Sequence, residues 1–239
     1  MKFLTLINNL LTRMILSTQY CVLCGSKTNS QQICNYCYQD LMRQATMTPQ
    51  HCWKCLIKMQ PHQIVCSNCS ENKFIFDRIV AAFDYGFPLD QILQQLKYRT
   101  KLEYSALLSQ LFYAKISTQI THLPDIIIPV PLHPKKHKLR GFNQTHEILR
   151  EFANLHPKVR ILYATRSKET QPQATLNRGE RIANLHKAFR IHENLSGKSV
   201  AIIDDVVTTG TTVNELAREC RKLGADKVEI WCLMRAQHD

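Results

Sequence analysis

The sequence predicts an α/β protein: a parallel sheet covered by helices, preceded by a small cysteine-rich module. Three observations predict it. From about residue 76 onward, short apolar runs alternate with stretches of helical periodicity, the pattern of parallel strands joined by helical crossovers. Eight of the ten cysteines lie between Cys21 and Cys69, in four C-x-x-C pairs. One strand-like run, Val200–Ile203, leads through two acids into a Thr- and Gly-rich turn and then a helix. With 239 residues, 44% of them hydrophobic, the chain has material for a sizeable core plus an attachment. The composition changes at residues 75/76, so the expected division is 1–75 for an N-terminal helix plus the cysteine module and 76–239 for the α/β domain.

The N-terminus has apolar residues at Phe3, Leu4, Ile7, Leu10, Leu11, Met14 and Ile15, the spacing of an amphipathic helix. Such a helix packs on its own domain or lies against a membrane surface or partner. Asn8, Asn9 and Arg13 interrupt any secretory apolar core, so an exported protein is not expected. A cytoplasmic location follows, and with it reduced thiols unless a metal holds them.

The cysteine pairs are Cys21/Cys24, Cys34/Cys37, Cys52/Cys55 and Cys66/Cys69. Two residues between thiolates let both sulfurs face one tetrahedral centre, and two such turns complete a four-cysteine zinc site. Four pairs within about fifty residues therefore predict two structural Zn²⁺ sites rather than a disulfide framework or a catalytic metal, which needs an open position. Sequential pairing is simplest, and interleaved pairing is the alternative. Metal binding supplies most of the folding energy of so small a segment. Cys220 and Cys232 lie in helical and apolar surroundings and read as packing residues.

Beyond Cys69, Phe74–Gly86 alternates and reads as a hairpin or linking strand. Pro88–Ile120 has helical periodicity, with a break near Tyr98–Lys101. Asp125–Val130 is a buried strand, followed by a basic Pro-rich loop and a helix. Val159–Arg166 is a strand, Lys168–Phe189 a long polar loop with a short helix, and Lys198–Val206 a strand. Thr211–Gly224 is a helix with Gly224 as its stop, and Lys227–Arg235 is the last strand. Ligands in such sheets bind beyond the carboxyl ends of the strands. That edge should carry Pro129–Arg140, Arg166–Arg181 and Asp204–Thr212.

In that last stretch, "VAIIDDVVTTGTT", the turn opens a helix whose first N–H groups are unpaired and carry the positive end of the dipole. Gly210 permits close backbone approach, and the hydroxyls of Thr208, Thr209, Thr211 and Thr212 add donors, which makes a cradle for a monophosphate. Asp204 and Asp205, just before it, suit hydroxyl groups. A ligand with a phosphate at one end and vicinal hydroxyls a few ångströms away, such as a ribose 5-phosphate, satisfies both. The formal net charge of +12 also favours polyanionic partners: nucleic acid, phosphorylated metabolites or anionic lipid. Lys135, Lys136, Lys138 and Arg140 crowd one strand end, suiting a diphosphate or a nucleic-acid backbone.

The stretch from Val200 to Thr212 resembles the 5-phosphoribosyl 1-diphosphate (PRPP) motif of type I phosphoribosyltransferases. The resemblance implies a phosphoribosyltransferase-like domain that binds PRPP with Mg²⁺, with Asp204 and Asp205 on the ribose hydroxyls and Thr208–Thr212 on the 5-phosphate. Together with "PVPLHPKKHKLRGFNQ", "RSKETQPQATLNRGERIANLHKAF" and the cysteine pairs, the chain is similar to the ComF (ComFC) family from about Cys21 to Arg235. In that family a zinc-ribbon segment precedes the phosphoribosyltransferase-like domain. Membership implies handling of incoming single-stranded DNA in natural transformation, beside the DNA-uptake machinery on the cytoplasmic face of the inner membrane, or use of DNA as a nutrient. Thr170, Gln173, Arg181 and Asn184 match the family pattern in the loop that covers PRPP in the transferases.

Two functions of different class remain. One is a competence protein whose pocket binds PRPP while basic loops and zinc ribbons hold DNA. The other is an active phosphoribosyltransferase of nucleotide salvage, for which Asp204 and Asp205 would be catalytic. The missing element for the second is an acceptor site: no hood segment selecting a base is legible.

Overall fold

The structure, a computed structural model, describes residues 18–29, 32–44, 48, 50–60, 63–71, 73–99, 101–166 and 189–237. The expected N-terminal helix and the Thr170–Asn184 positions lie outside the described residues. The chain forms two compact units, Met1–Gln44 and Ala45–Asp239, a division different in place from the change of composition at residues 75/76.

In the first unit, β1 (Thr18–Tyr20) pairs antiparallel with β2 (Lys27–Asn29). Between them Cys21–Cys24 forms a tight turn, closed by Gly25 N–H donating to Cys21 O at 2.9 Å. Gly25 has φ +73°, a conformation that costs glycine little. Helix α1 (Asn35–Arg43) starts at Cys34, whose Sγ accepts from the Cys37 N–H. Among the described residues of this unit few apolar side chains are buried, Ile33 and Leu41 among them.

The second unit begins with a similar turn. Cys52–Cys55 is closed by Leu56 N–H to Cys52 O at 2.8 Å, with Leu56 at φ +58° in the place that Gly25 holds in the first unit. Cys66 starts the one-turn helix α2 (Ser67–Ser70). Then follow β3 (Arg78–Asp84), α3 (Leu89–Arg99), α4 (Glu103–Ile116), β4 (Ile126–Pro129), α5 (Pro134–Arg140), α6 (Gln144–Leu155), β5 (Arg160–Ile161), β6 (Thr165–Arg166), β7 (Phe189–Arg190), β8 (Ser199–Val207), α7 (Thr211–Lys222) and β9 (Lys227–Arg235). Five strands form one sheet in the order β3-β9-β8-β4-β5, every neighbouring pair parallel. Central β9 is buried at every residue after Lys227, as the near-continuous apolar runs of a two-sided sheet require. On one face Trp231 meets Phe152 of α6 edge-on, ring centroids 5.4 Å apart. On the other, Val200, Ile202, Val228 and Ile230 share a core with Val213 and Leu216 of α7 and with Cys52, Cys55 and Cys69.

Several local expectations change. Of the two readings of Phe74–Gly86, hairpin or linking strand, the strand holds: β3 is a single edge strand parallel to β9. The run Val159–Arg166 is divided, because β5 pairs with β4 for two residues only and β6 leaves the sheet to pair antiparallel with β7. The basic loop is partly helical. Pro134 sits in the first turn of α5, the His133 ring caps it by accepting from Lys135 N–H, and Gly141 at φ +78° ends it, a Pro-start and Gly-stop arrangement. The helix break near Tyr98–Lys101 lies between α3 and α4.

Candidate functional site

The carboxyl edge of the sheet carries Asp84, Pro129, Val207 and Arg235, the ends of four parallel strands in register. Strand β8 runs through Asp204 and Asp205 to Val207, one residue past its expected end at Val206, because β9 pairs with it as far as Val207↔Arg235. The acids therefore lie within a strand, where successive side chains face opposite sides. Asp205 is buried and its Oδ2 stands 2.7 Å from Lys97 Nζ of α3, with side chains 7% and 16% exposed. Asp204, partly buried, is influenced by Arg166 of β6 and by Lys97. Each carboxylate also accepts the next backbone N–H: Asp205 N to Asp204 Oδ1 at 2.9 Å, and Val206 N to Asp205 Oδ1 at 2.6 Å. Burial, and then the Asp205 charge, push Asp204 up to about 8, while Lys97 and Arg166 pull it the other way.

Thr208–Thr212 joins β8 to α7. A shallow recess of about 30 Å³, open to solvent, is lined by Asp204 and by Val206–Val213, far too small to enclose a whole nucleotide. Thr209 and Thr211 hydroxyls lie 2.8 Å apart. Gly210 at φ +76° stands before α7 and offers no side chain to cap it, while Thr209 Oγ1 accepts from the Thr211 N–H at 3.4 Å. The N–H groups at the start of α7 thus face the recess without a side-chain partner from the cap position, the arrangement that attracts anions. A Cβ on Gly210 would meet Phe74 Cε1 at 3.3 Å as well as the unfavourable φ. Gly210→Ala is therefore expected to cost about 1–2 kcal/mol, read as a lower midpoint in thermal unfolding. An unchanged midpoint would mean that the loop relaxes freely.

Helix α5 reaches the same edge through α3. Arg140 Cζ sits 5.3 Å from the ring centre of Tyr98, next in sequence to Lys97, and donates to Gln144 Oε1 at 2.8 Å. Lys138 is exposed on α5, as are Lys135 and Lys136. Of the residues read from the sequence, the structure thus brings together Asp204, Asp205, Thr208–Thr212 and, through one helix end, Arg140. Lys97 was missed: it falls on an ordinary amphipathic helix, and only the tertiary fold sets its ammonium on Asp205. Arg235 was missed too, since it reads as the end of an apolar strand.

The cysteines group sequentially. Cys21, Cys24, Cys34 and Cys37 have their sulfurs within 4.8 Å of one another, and so do Cys52, Cys55, Cys66 and Cys69. Cys24 and Cys34 sulfurs are 3.7 Å apart, and Cys55 and Cys66 sulfurs 3.5 Å. These match the edge of about 3.8 Å expected when sulfurs sit at about 2.3 Å around a tetrahedral zinc. Burial pushes the Cys55 thiol up to about 12 and, together with the Cys55 charge, pushes Cys69 up as well. Four sulfurs this close together ionise jointly only around a cation, so both clusters fit a metal of the zinc type and either could hold one.

A family model, the phosphoribosyl transferase domain, matches residues 141–239, which include β8, the loop and α7. The DNA utilization protein YhgH of Escherichia coli O6:H1 is 34% identical over 208 residues, covering 85% of this chain and 90% of that protein. Competence protein F of Haemophilus influenzae is 31% identical over 199 residues, covering 78% and 85%. Competence protein ComFC of Streptococcus pneumoniae is 26% identical over 150 residues, covering 62% and 66%. A parallel α/β domain of the phosphoribosyltransferase type, two four-cysteine clusters and this level of identity over most of its length make the chain a member of the ComF family of competence and DNA-utilization proteins.

Proposed function

We propose that the protein handles incoming single-stranded DNA during natural transformation, on the cytoplasmic side of the inner membrane beside the uptake machinery. In this reading the edge of its sheet holds PRPP. The observation that carries it is the junction at the end of α3. Lys97 reaches Asp205, and Tyr98 lies against Arg140 of the cationic helix α5, so a hydroxyl-binding acid pair, an anion loop and a basic face adjoin. Asp204 and Asp205 would take the ribose hydroxyls, Thr208–Thr212 the 5-phosphate, and Lys138 and Arg140 the diphosphate or the DNA backbone. Mg²⁺ bound with PRPP would screen the charge of its diphosphate. Two structural zincs would hold the cysteine clusters. The aromatic rings support the DNA side of the reading. Tyr36 in the first cluster is 81% exposed and Trp53 in the second 47%, and bases of single strands stack on such rings beside cationic side chains.

No helix among the described residues is long and apolar enough to cross a membrane, which leaves the uptake machinery, if it is a partner, to be reached from a surface. The test is a pair of titrations, PRPP with Mg²⁺ and single-stranded DNA, on wild type and Asp204→Ala/Asp205→Ala. PRPP binding is expected to disappear in the double variant. DNA affinity is expected to fall steeply with salt, by about a thousandfold between 50 and 200 mM if some six phosphates are neutralised. DNA affinity that ignores salt, or wild type that never binds PRPP, would refute the corresponding half. Mg²⁺-dependent release of diphosphate with an acceptor base would make the pocket catalytic.

A further inference from the structure

We infer that the second four-cysteine site is a built wall of the Thr208–Thr212 loop, and that metal bound there sets the loop's order and through it its affinity for an anion. The inference rests on the reading of that loop as the phosphate cradle. Its key residue is Arg235, 2% exposed. Arg235 Nε donates to the carbonyl of Cys55 at 2.8 Å, and Nη1 donates to the carbonyls of Val207 at 3.0 Å and Thr208 at 2.5 Å. One guanidinium thus joins a cysteine of the cluster to both peptide units that enter the loop. In a trans peptide the C=O and N–H point in opposite directions. With the Val207 and Thr208 carbonyls drawn onto Arg235, the N–H groups of Thr208 and Thr209 point away from it. The rigid planar fork of arginine suits this three-way hold, and a lysine cannot reproduce it.

The same cluster holds the loop from a second side. Phe74 packs its ring edge where a Cβ of Gly210 would be and stacks on Phe76, centroids 4.9 Å apart. The Phe74 carbonyl accepts from Lys54 Nζ at 3.1 Å, and Lys54 lies inside the Cys52–Cys55 turn. Asn214 in the first turns of α7 clamps the flanking backbone, accepting from Ile75 N–H at 2.7 Å and donating to the Lys73 carbonyl at 3.0 Å. Gln237 donates to the Leu56 carbonyl and accepts from Lys58 N–H. Every one of these contacts depends on where the Cys52–Cys55 turn and the chain after Cys69 stand. Four thiolates on one cation fix both, and without the cation the turn has no common anchor.

The test compares full-length wild type with Cys55→Ser/Cys69→Ser, Arg235→Lys and Cys24→Ser/Cys37→Ser. Two readouts are taken: affinity for Mg²⁺-PRPP by calorimetry, and amide hydrogen exchange of Thr208–Thr212 in the ligand-free protein. The second-cluster variant and Arg235→Lys are expected to weaken PRPP about tenfold, the scale of one lost hydrogen bond to a charged group. They should also speed exchange in the loop about tenfold while central β9 stays protected. The first-cluster variant should leave both within about twofold. If the second-cluster variant does not fold, Arg235→Lys carries the comparison. Unchanged loop exchange in Arg235→Lys, or equal effects from the two clusters, would overturn the inference. Failure of wild type to bind PRPP would instead strike the phosphate reading, while loop exchange still decides whether cluster and loop are coupled.

Discussion

At pH 8, Asp204→Asn is expected to make the ligand-free protein more stable than wild type while removing the PRPP binding proposed above. In the folded chain, burial and the adjacent Asp205 charge raise the Asp204 carboxyl to about 8, whereas in the unfolded chain it titrates near about 4. Between those values the folded state keeps a proton that the unfolded state releases. Unfolding free energy therefore falls as pH rises from about 4 to about 8 and levels off above. Asparagine matches the neutral acid in shape and never ionises, so it removes that loss. Asp204 keeps some contact with water, which softens the penalty on its charge. A gain of about 1 kcal/mol at pH 6 growing to about 2 kcal/mol at pH 8 is the expected scale, or roughly 4–8 °C in midpoint at the upper end. Calorimetric scans at pH 6, 7 and 8 check it. A gap that stays constant or narrows with pH would show that Asp204 is not strained by its charge. Lower stability without ligand and a better site with ligand is the usual exchange where acids are gathered to meet a substrate.

Lys97→Met is expected to act in the opposite direction, lowering stability by about 3 kcal/mol, roughly 6–12 °C in midpoint. Both members of the Lys97–Asp205 pair are largely buried, at 16% and 7% exposed side chains. Removing the ammonium leaves the buried Asp205 carboxylate without its partner, next in sequence to a second acid. Because the pair itself need not be stabilising relative to apolar packing, Lys97→Met/Asp205→Leu should recover most of the loss. Urea unfolding of the two single variants and the double variant measures the coupling. A single-variant cost below about 0.5 kcal/mol would mean the pair behaves as a solvated surface contact. Lys97 also bears on the site, since a ligand hydroxyl approaching Asp205 has to share that carboxylate with it.

The main elements of the fold were legible because they depend on local pattern. Apolar runs such as Ile126–Ile128 and Ile230–Met234 read as buried strands, and Gly224 marks a helix end by its own backbone preference. The boundaries were less legible. The one-residue extension of β8 to Val207 depends on β9 continuing alongside it, and the departure of β6 depends on a distant partner, β7. Neither cause lies within the segment itself.

The candidate site divides along the same line. By itself the sequence marked out the eight cysteines as candidate metal ligands, the acid pair, and the glycine-containing loop at the start of a helix, because spacing along the chain is what would let those groups act together. Only the tertiary structure decided that the cysteines group sequentially, that Asp204 and Asp205 turn to opposite faces of the sheet, and that Lys97 neutralises one of them. It alone joined Arg235 to both Cys55 and Thr208, residues 180 and 27 positions away along the chain. The physical reason is range. Metal turns and phosphate loops are built from neighbours whose geometry the backbone transmits directly, whereas charge pairing and carbonyl capture across a sheet arise only once strand order is set.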